Sequence, residues 1–319
     1  MDTPKRDLWE HGEHSPKVVH NVRQKANKVQ ALQPCPFLSL KMDVESRMPT
    51  QAERGSVFRA LHQRDRAFII PNPWDVGTAR LLQSLGFEAL ATTSAGFAFS
   101  IGKRDGAVDR ETMLTHAAAL VAATDLPVSA DLENGYADNP GQVAETVRLA
   151  AQAGLAGCSV EDVPQRRGQA PYEIHLAAER VGAAAEAAHA LPFPFTLTAR
   201  AENFIVGRPD LRDTIARLQA FQESGADVLF APGLKTKEDI RTVVRSVDRP
   251  INVIMGLEGV QLSLAELSEL GVRRVSVGSA LARSAMGAFL RAAREMEARG
   301  TFTFANDAVK YADLNAMFA

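Results

Sequence analysis

The chain has little cysteine: two residues in 319, Cys35 and Cys158. They are too few and too far apart for a disulfide framework or a cysteine metal cluster, and a reducing, cytoplasmic setting is expected. Charge of one sign is also scarce in excess, with a formal net charge of −2 from 36 basic and 38 acidic residues. That removes the global electrostatic case for nucleic acid or an anionic membrane as a partner. No apolar run reaches the roughly 18–20 residues that a bilayer span requires, and the N-terminus has no apolar stretch of the signal-peptide kind. No Gly-x-Gly-x-x-Gly follows the first apolar run of the regular part, which counts against a dinucleotide-binding open sheet. No histidine falls at the end of an apolar run, which counts against zinc and against Ser-His hydrolysis. His62, His116, His175 and His189 fall in helical stretches and read as surface residues. What remains is 46% hydrophobic and 23% charged, an ordinary composition for a globular protein.

Residues 1–50 and 51–319 differ in character. The first segment mixes Lys5, Arg6, Lys17, Arg23, Lys25 and Lys28 with acids, three histidines and scattered prolines. It keeps neither helical nor strand periodicity, and it reads as a disordered extension. Met48 is an alternative start for the regular part. From residue 51 a rhythm sets in, a short apolar run followed by a helical stretch. The runs are 67–71, 89–93, 127–131, 157–161, 195–200, 227–231, 251–254 and 274–278. They are continuous rather than alternating, as in parallel strands covered on both faces. Gly86, Gly154, Gly225 and Gly271 stand between a helical stretch and the next run, the place where glycine ends a helix. Eight such units predict an α/β fold, a (β/α)8 TIM barrel. The long last helix spans 280–299. Beyond it Phe302, Phe304, Tyr311, Leu314, Met317 and Phe318 form an apolar C-terminal helical tail, expected to dock on a neighbouring subunit.

In such a barrel the site lies at the C-terminal ends of the strands. Those ends deliver Thr93 and Ser94, then Asp131 and Glu133, then Glu161, then Arg200 and Glu202. Asp105 sits on the loop after the second strand, and Asn252 on the seventh strand. The centre is Val128-Ser129-Ala130-Asp131-Leu132-Glu133-Asn134-Gly135-Tyr136, a buried strand that ends in two carboxylates and a glycine turn. Two residues apart on an extended chain, Asp131 and Glu133 point the same way. Acids gathered at one mouth are costly unless paired or neutralised. A hard divalent cation, Mg²⁺ or Mn²⁺, suits oxygen-only ligands. Arg200 suits bidentate binding of a carboxylate or phosphate, with a salt bridge to Glu202 or Glu133 as its plainer reading. Cys158 sits on a buried strand and reads as inert core.

The same residues carry a family resemblance. Asn72-Pro73-Trp74-Asp75, Thr93-Ser94-Ala95-Gly96 through Gly102-Lys103-Arg104-Asp105, Asp131-Leu132-Glu133-Asn134-Gly135-Tyr136, Val160-Glu161-Asp162, Thr198-Ala199-Arg200 and Ala231-Pro232-Gly233 appear in order, each at a strand end. From about 51 to 319 the chain resembles the isocitrate lyase and phosphoenolpyruvate mutase superfamily. The resemblance implies a Mg²⁺-dependent lyase-type enzyme acting on a small 2-oxo acid or dicarboxylate through the enolate of a pyruvate-like fragment. It implies that Asp131 holds the metal directly, with Asp105, Glu133 and Glu161 holding its waters. Thr93, Ser94 and Ala95 would cradle the substrate carboxylate and oxo oxygen, Arg200 would bind the carboxylate, and Asn252 is a further substrate-binding candidate. Asp105, Glu161 and Arg200 are the candidate catalytic groups. Relatives form homotetramers or dimers by exchanging a C-terminal helix.

Two departures bear on the reaction. The lyase branch carries a Lys-Lys-Cys-Gly-His loop after the fourth-strand glutamate. Here residues 162–170 hold no cysteine, and they also lack the lysine and asparagine of the mutase branch. Arg166 or Arg167 is an alternative source of positive charge over the substrate, against a plain solvated role. Glu133 stands where many relatives have Asp. C–C bond cleavage is the leading expectation. The alternatives are phosphonate P–C chemistry, as in a phosphoenolpyruvate mutase or phosphonopyruvate hydrolase, and a barrel that binds an oxo acid without turnover.

Overall fold

In a computed structural model the described residues are 47–319, apart from 165–168 and 258–260. The N-terminal extension, as far as residue 46, and both Arg166 and Arg167 lie outside them. The chain runs α1 (Gln51–His62), β1 (Phe68–Ile70), α2 (Val76–Ser84), β2 (Leu90–Ala91), α3 (Ser94–Ser100) and α4 (Arg110–Ala122). It continues through β3 (Val128–Asp131), α5 (Pro140–Gln152), β4 (Gly157–Glu161), α6 (Ile174–His189), β5 (Thr196–Arg200) and α7 (Leu211–Glu223). It closes with β6 (Val228–Phe230), α8 (Lys237–Arg245), β7 (Ile251–Ile254), α9 (Leu264–Glu269), β8 (Arg274–Ser276) and α10 (Ala280–Arg299). A 3-10 turn at Thr303–Asp307 and α11 (Tyr311–Ala316) make up the tail.

All the strand pairs are parallel, in the order β1-β8-β7-β6-β5-β4-β3-β2. The ring is nearly closed. Between β1 and β2 the Ala91 N–H donates to the Pro71 carbonyl at 3.1 Å. The fold is therefore the expected (β/α)8 barrel.

Local sequence explains where the helices begin. Thr50, Asp75, Asp109, Asn139, Asp210, Thr236 and Ser263 each accept a backbone N–H from the first turn. Such caps contribute about 1 kcal/mol each. The helices bury alanine-rich faces on the strands, with Ala177, Ala184, Ala185, Ala187 and Ala188 of α6 all buried. At the foot of the barrel Phe58, Leu61, Phe68 and Ile70 form a second apolar cluster. Cys158 is fully buried on β4, and burial pushes its thiol up, so it is core as expected.

Three expectations need correction. The stretch after β2 is not simply a loop, because α3 forms there, capped by the Thr93 hydroxyl. A seven-residue helix containing Gly96 carries too little periodicity to show in sequence. His62 and His116 are not surface residues but are buried. His62 stands edge-on between Phe58 and Phe68, and His116 stacks on Phe97 at 3.7 Å. Finally, the extended backbone that would align Glu133 with Asp131 stops at Asp131, and Glu133 has φ +49. Both side chains reach one cavity, but through a turn rather than through strand alternation.

Candidate active site

The C-terminal mouth of the barrel opens on a cavity of about 700 Å³. Thr93, Ser94, Ala95, Asp105, Asp131, Glu133, Glu161, Arg200 and Asn252 all line it. The residues singled out from sequence are thus brought together in one place. Glu202, Ser276 and Arg274 line it too.

Arg200 is the hub. Its Nη1 donates to Asp131 Oδ1 at 3.0 Å and approaches Glu161 Oε1 at 2.7 Å. Its Nε donates to Glu202 Oε1 at 2.9 Å. The register explains the meeting, since Glu161 and Arg200 are direct partners at the ends of β4 and β5. The Arg200 guanidinium also lies over the Phe230 ring at 5.1 Å.

Among the described residues, one arginine does not balance the carboxylates that meet on it. Asp131, Glu161 and Glu202 bring three carboxylates onto it, Glu133 lines the same cavity, and Glu202 is only 3% exposed. Burial raises the Glu161 carboxyl well above its ordinary range. Arg200 opposes that shift, while Glu202, Asp131 and Glu133 add to it. Burial likewise pushes Glu202 up to about 7, against the pull of Arg200. Burial works against the charge on Arg200 itself, yet Glu161, Glu202 and Asp131 together hold it above its usual range.

Asp131 is fixed from three directions. Its backbone N–H donates to Thr92 Oγ1 at 2.9 Å, and its carboxylate accepts the Ser94 N–H at 3.2 Å and the Glu133 N–H at 3.4 Å. The Ser94 hydroxyl donates to Asp105 Oδ1 at 3.4 Å. Thr93 and Asp131 therefore have defined local duties: Thr93 Oγ1 accepts the Gly96 N–H as the cap of α3. Ser94 and Ala95 occupy the first turn of that helix, where backbone N–H groups have no partner within the helix.

Several residues outside the expected list hold this wall in place. Arg180 of α6, 1% exposed, donates to the carbonyls of Glu161, Asn134 and Ala137 and stacks on Tyr172 at 4.2 Å. It ties the turn after β3 to the end of β4. Arg217 of α7 donates to Asp162 Oδ2 at 3.1 Å, and Asp162 Oδ1 accepts the Glu202 N–H at 2.9 Å. Asp162, although part of a matching motif, thus couples the ends of β4 and β5 rather than facing the cavity. A buried arginine on a helix looks like any surface arginine in sequence, so nothing in the pattern marked these two.

The donor set is oxygen-rich and charged, and among the described residues Arg200 is shared by three carboxylates, which fits a hard divalent ion. Among the described residues no group of three His, Cys, Asp or Glu side chains converges as a ready-made ligand shell. Mg²⁺ suits such a place, because it takes one or two carboxylates and keeps several waters. The residues able to hold it or its waters are Asp131, Glu133, Glu161 and Asp105.

The fold and mouth define a class: a (β/α)8 barrel with an acid-rich, arginine-centred site at its C-terminal face. Within that class the chain belongs to the phosphoenolpyruvate phosphomutase family, whose model matches residues 58–297. A crystal structure from Burkholderia cenocepacia J2315, provisionally described as a lyase/mutase, is 61% identical. It superposes with a TM-score of 0.82 over 84% of this chain and 96% of that one. An uncharacterized protein of Mycobacterium tuberculosis is 34% identical over 239 residues, covering 74% of this chain and 87% of its own length. The structure of 2,3-dimethylmalate lyase, a member of the phosphoenolpyruvate mutase/isocitrate lyase superfamily, is 28% identical. Its TM-score is 0.75, over 86% of this chain and 96% of that one.

Proposed function

We propose that the chain is a Mg²⁺-dependent enzyme that cleaves a C–C bond in a small 2-oxo acid or dicarboxylate by way of an enolate. The observation that carries this reading is the excess, among the described residues, of buried carboxylate over cation around Arg200. The ion would be held by Asp131, with Asp105, Glu133 and Glu161 on its waters. When bound, it supplies Lewis-acid polarisation of the oxo group. Arg200 binds and orients the substrate carboxylate, exchanging part of its contact with the acids for the ligand. Ala95 offers its backbone N–H at the first turn of α3 to the negative charge that develops on the oxo oxygen, while the Ser94 N–H holds the Asp131 carboxylate in place. Glu202, which burial pushes up to about 7, is placed to hold or pass a proton near neutral pH, and burial raises the Glu161 carboxyl in the same direction.

The name of the matching family keeps P–C bond chemistry on a phosphonate as the second reading. A screen of 2-oxo acids, 2-hydroxy dicarboxylates and phosphonopyruvate with Mg²⁺ separates the two, read as pyruvate and phosphate release. Pyruvate or another small oxo acid released without phosphate supports the first. Phosphate from phosphonopyruvate supports the second. Mg²⁺-dependent oxalate binding without turnover of any compound would leave only an oxo-acid-binding barrel.

The reading includes a homo-oligomer, a tetramer or dimer. Phe289 of α10 is 70% exposed and Tyr311 of α11 is 86% exposed, which suits a tail that docks on another copy. Light scattering before and after removal of residues 301–319 tests this: loss of the oligomer supports it, and an unchanged mass rejects it. Among the described residues no helix is long and apolar enough to cross a membrane, and a cytoplasmic enzyme is the matching setting.

A further inference from the structure

The turn that carries Glu133 is held in a strained shape. Glu133 has φ +49 and Tyr136 has φ +57, and neither is a glycine. The left-handed region is costly for a residue with a Cβ, and such residues persist only where their surroundings over-determine them. Gly135, with φ +76, lies in the same turn, and an added Cβ there would come within 2.9 Å of Val143. Two bonds restrain the turn from within β3 to α5. The Gly135 N–H donates to the Leu132 carbonyl and the Thr146 hydroxyl to the Gly135 carbonyl, both at 2.8 Å. The backbone at Glu133 decides where its carboxylate goes, because a return to negative φ would re-aim the Cα–Cβ bond.

Arg180 restrains the same turn from α6. Its Nη2 donates to the carbonyl of Asn134, the residue after Glu133, and to that of Ala137 at 2.9 Å. Its Nη1 donates to the Glu161 carbonyl at 3.0 Å. The end of β4 is itself fixed, since Glu161 pairs with Arg200 in the sheet and its N–H donates to the Glu133 carbonyl at 2.8 Å. The guanidinium therefore fastens the strained turn to a rigid strand end. Tyr172 packs on its face at 4.2 Å, and the Tyr172 hydroxyl accepts from Asn134 Nδ2 at 3.1 Å. Ring and arginine thus grip one residue, the neighbour of Glu133. A planar fork can bridge carbonyls of separate segments, whereas an ammonium is a point charge without that spread.

We propose that Arg180 is a positioning residue that keeps Glu133 left-handed, with its carboxylate turned into the mouth, and so sets how tightly the site takes a divalent ion. The inference rests on the metal reading of that mouth and adds a residue outside the four that would hold the ion or its waters. The sign of its effect separates positioning from plain electrostatics. Arg180 is a cation that acts on Glu161 through its charge. On charge alone its removal would tighten the binding of another cation. Positioning requires the opposite.

Calorimetric titration of the metal-free full chain with Mg²⁺ tests this. Arg180→Met should weaken binding about ten- to a hundredfold, the usual scale for a group that orients a metal ligand. Arg180→Lys keeps the charge, covers the case in which the methionine variant does not fold, and should weaken binding in the same direction. Val243→Ala, a fully buried change on α8, loosens the core elsewhere and should leave Mg²⁺ affinity within about twofold. In a Glu133→Gln chain the further change Arg180→Lys should cost less than about twofold, because the group it positions is already gone. Without metal, deuterium exchange at the Gly135 N–H should be about tenfold faster in Arg180→Lys. Unchanged or tighter Mg²⁺ binding in the arginine variants that fold, an equal loss in Val243→Ala, additive losses in the Glu133→Gln chain, or unaltered exchange at Gly135 would each overturn the proposal and leave the metal reading standing. Failure of the unaltered chain to bind Mg²⁺ would instead remove that reading, and the proposal with it.

Discussion

The two walls of the cavity solve the problem of buried charge in opposite ways. On the β3–β5 side, carboxylates outnumber arginine among the described residues, and Arg200 is shared among Asp131, Glu161 and Glu202. On the β7–β8 side, one arginine is held by neutral Asn252, Thr198 and His62. Surplus negative charge stands opposite surplus positive charge, with about 700 Å³ between them. Neither arrangement serves stability well, because partly compensated buried charges cost more than apolar packing would.

The largest effect should come from the acid wall. Asp131→Ala is expected to lower Mg²⁺-dependent turnover by about 10²–10³-fold or more while circular dichroism stays unchanged. Full activity in that variant would break the comparison at its root. Next is Arg200→Met, which strands Asp131, Glu161 and Glu202 without their shared cation. A loss of about 3–5 kcal/mol is expected by denaturant titration without metal, with Mg²⁺ restoring part of it. A neutral result would mean that the acids are already protonated or solvated.

The pH response should carry opposite signs for the acid cluster and for His62. Burial lifts Glu202 from 4.5 to about 7 and Glu161 in the same direction. Between those values the unfolded chain has released a proton that the folded chain keeps. The Glu202 contribution is fullest below the ordinary carboxylate range and is lost as pH rises through about 7, and that of Glu161 is lost in the same direction. Mg²⁺ needs the ionised acids, so its stabilising shift in melting temperature should grow from pH 6 to pH 8. A shift independent of pH would contradict this. His62 behaves the other way. Burial, then the Arg274 charge, lowers it from 6.5 to about 3. Its contribution is full above pH 6.5 and is lost as pH falls towards 3, about 2 kcal/mol by pH 5. His62→Gln should flatten that acid loss in denaturant titrations between pH 6.5 and 5. An unaltered slope would show that His62 is not held neutral.

The acid wall was legible in sequence, and the opposite wall was only glimpsed. Asp131, Glu161 and Arg200 end apolar runs, so strand counting alone sends them to one mouth. Glu202 was read at the end of its run, although its depth and its raised pKa were not. Asn252 was picked out as a substrate contact, yet its amide is engaged by Arg274 and Ser276. Arg274 opens the last strand after Arg273 and looks like half of an exposed pair. Only register turns it inward while Arg273 reaches the Asp65 carbonyl outside. Arg180 and Arg217 were missed for a similar reason, since helical spacing does not say which polar residue is buried.

The order of apolar runs and glycine breaks, by itself, determined the eight-fold barrel and put the acids of β3 to β5 at its open end. This follows because a two-residue side-chain period and parallel strands leave no other common exit for those side chains. The sharing of Arg200, the turn that swings Glu133 back to the cavity, and the burial of Arg274 against Asn252, Thr198 and His62 were decided only by tertiary structure. Each depends on which strands are neighbours and how far they are staggered, and those distances between residues remote in sequence leave no local trace.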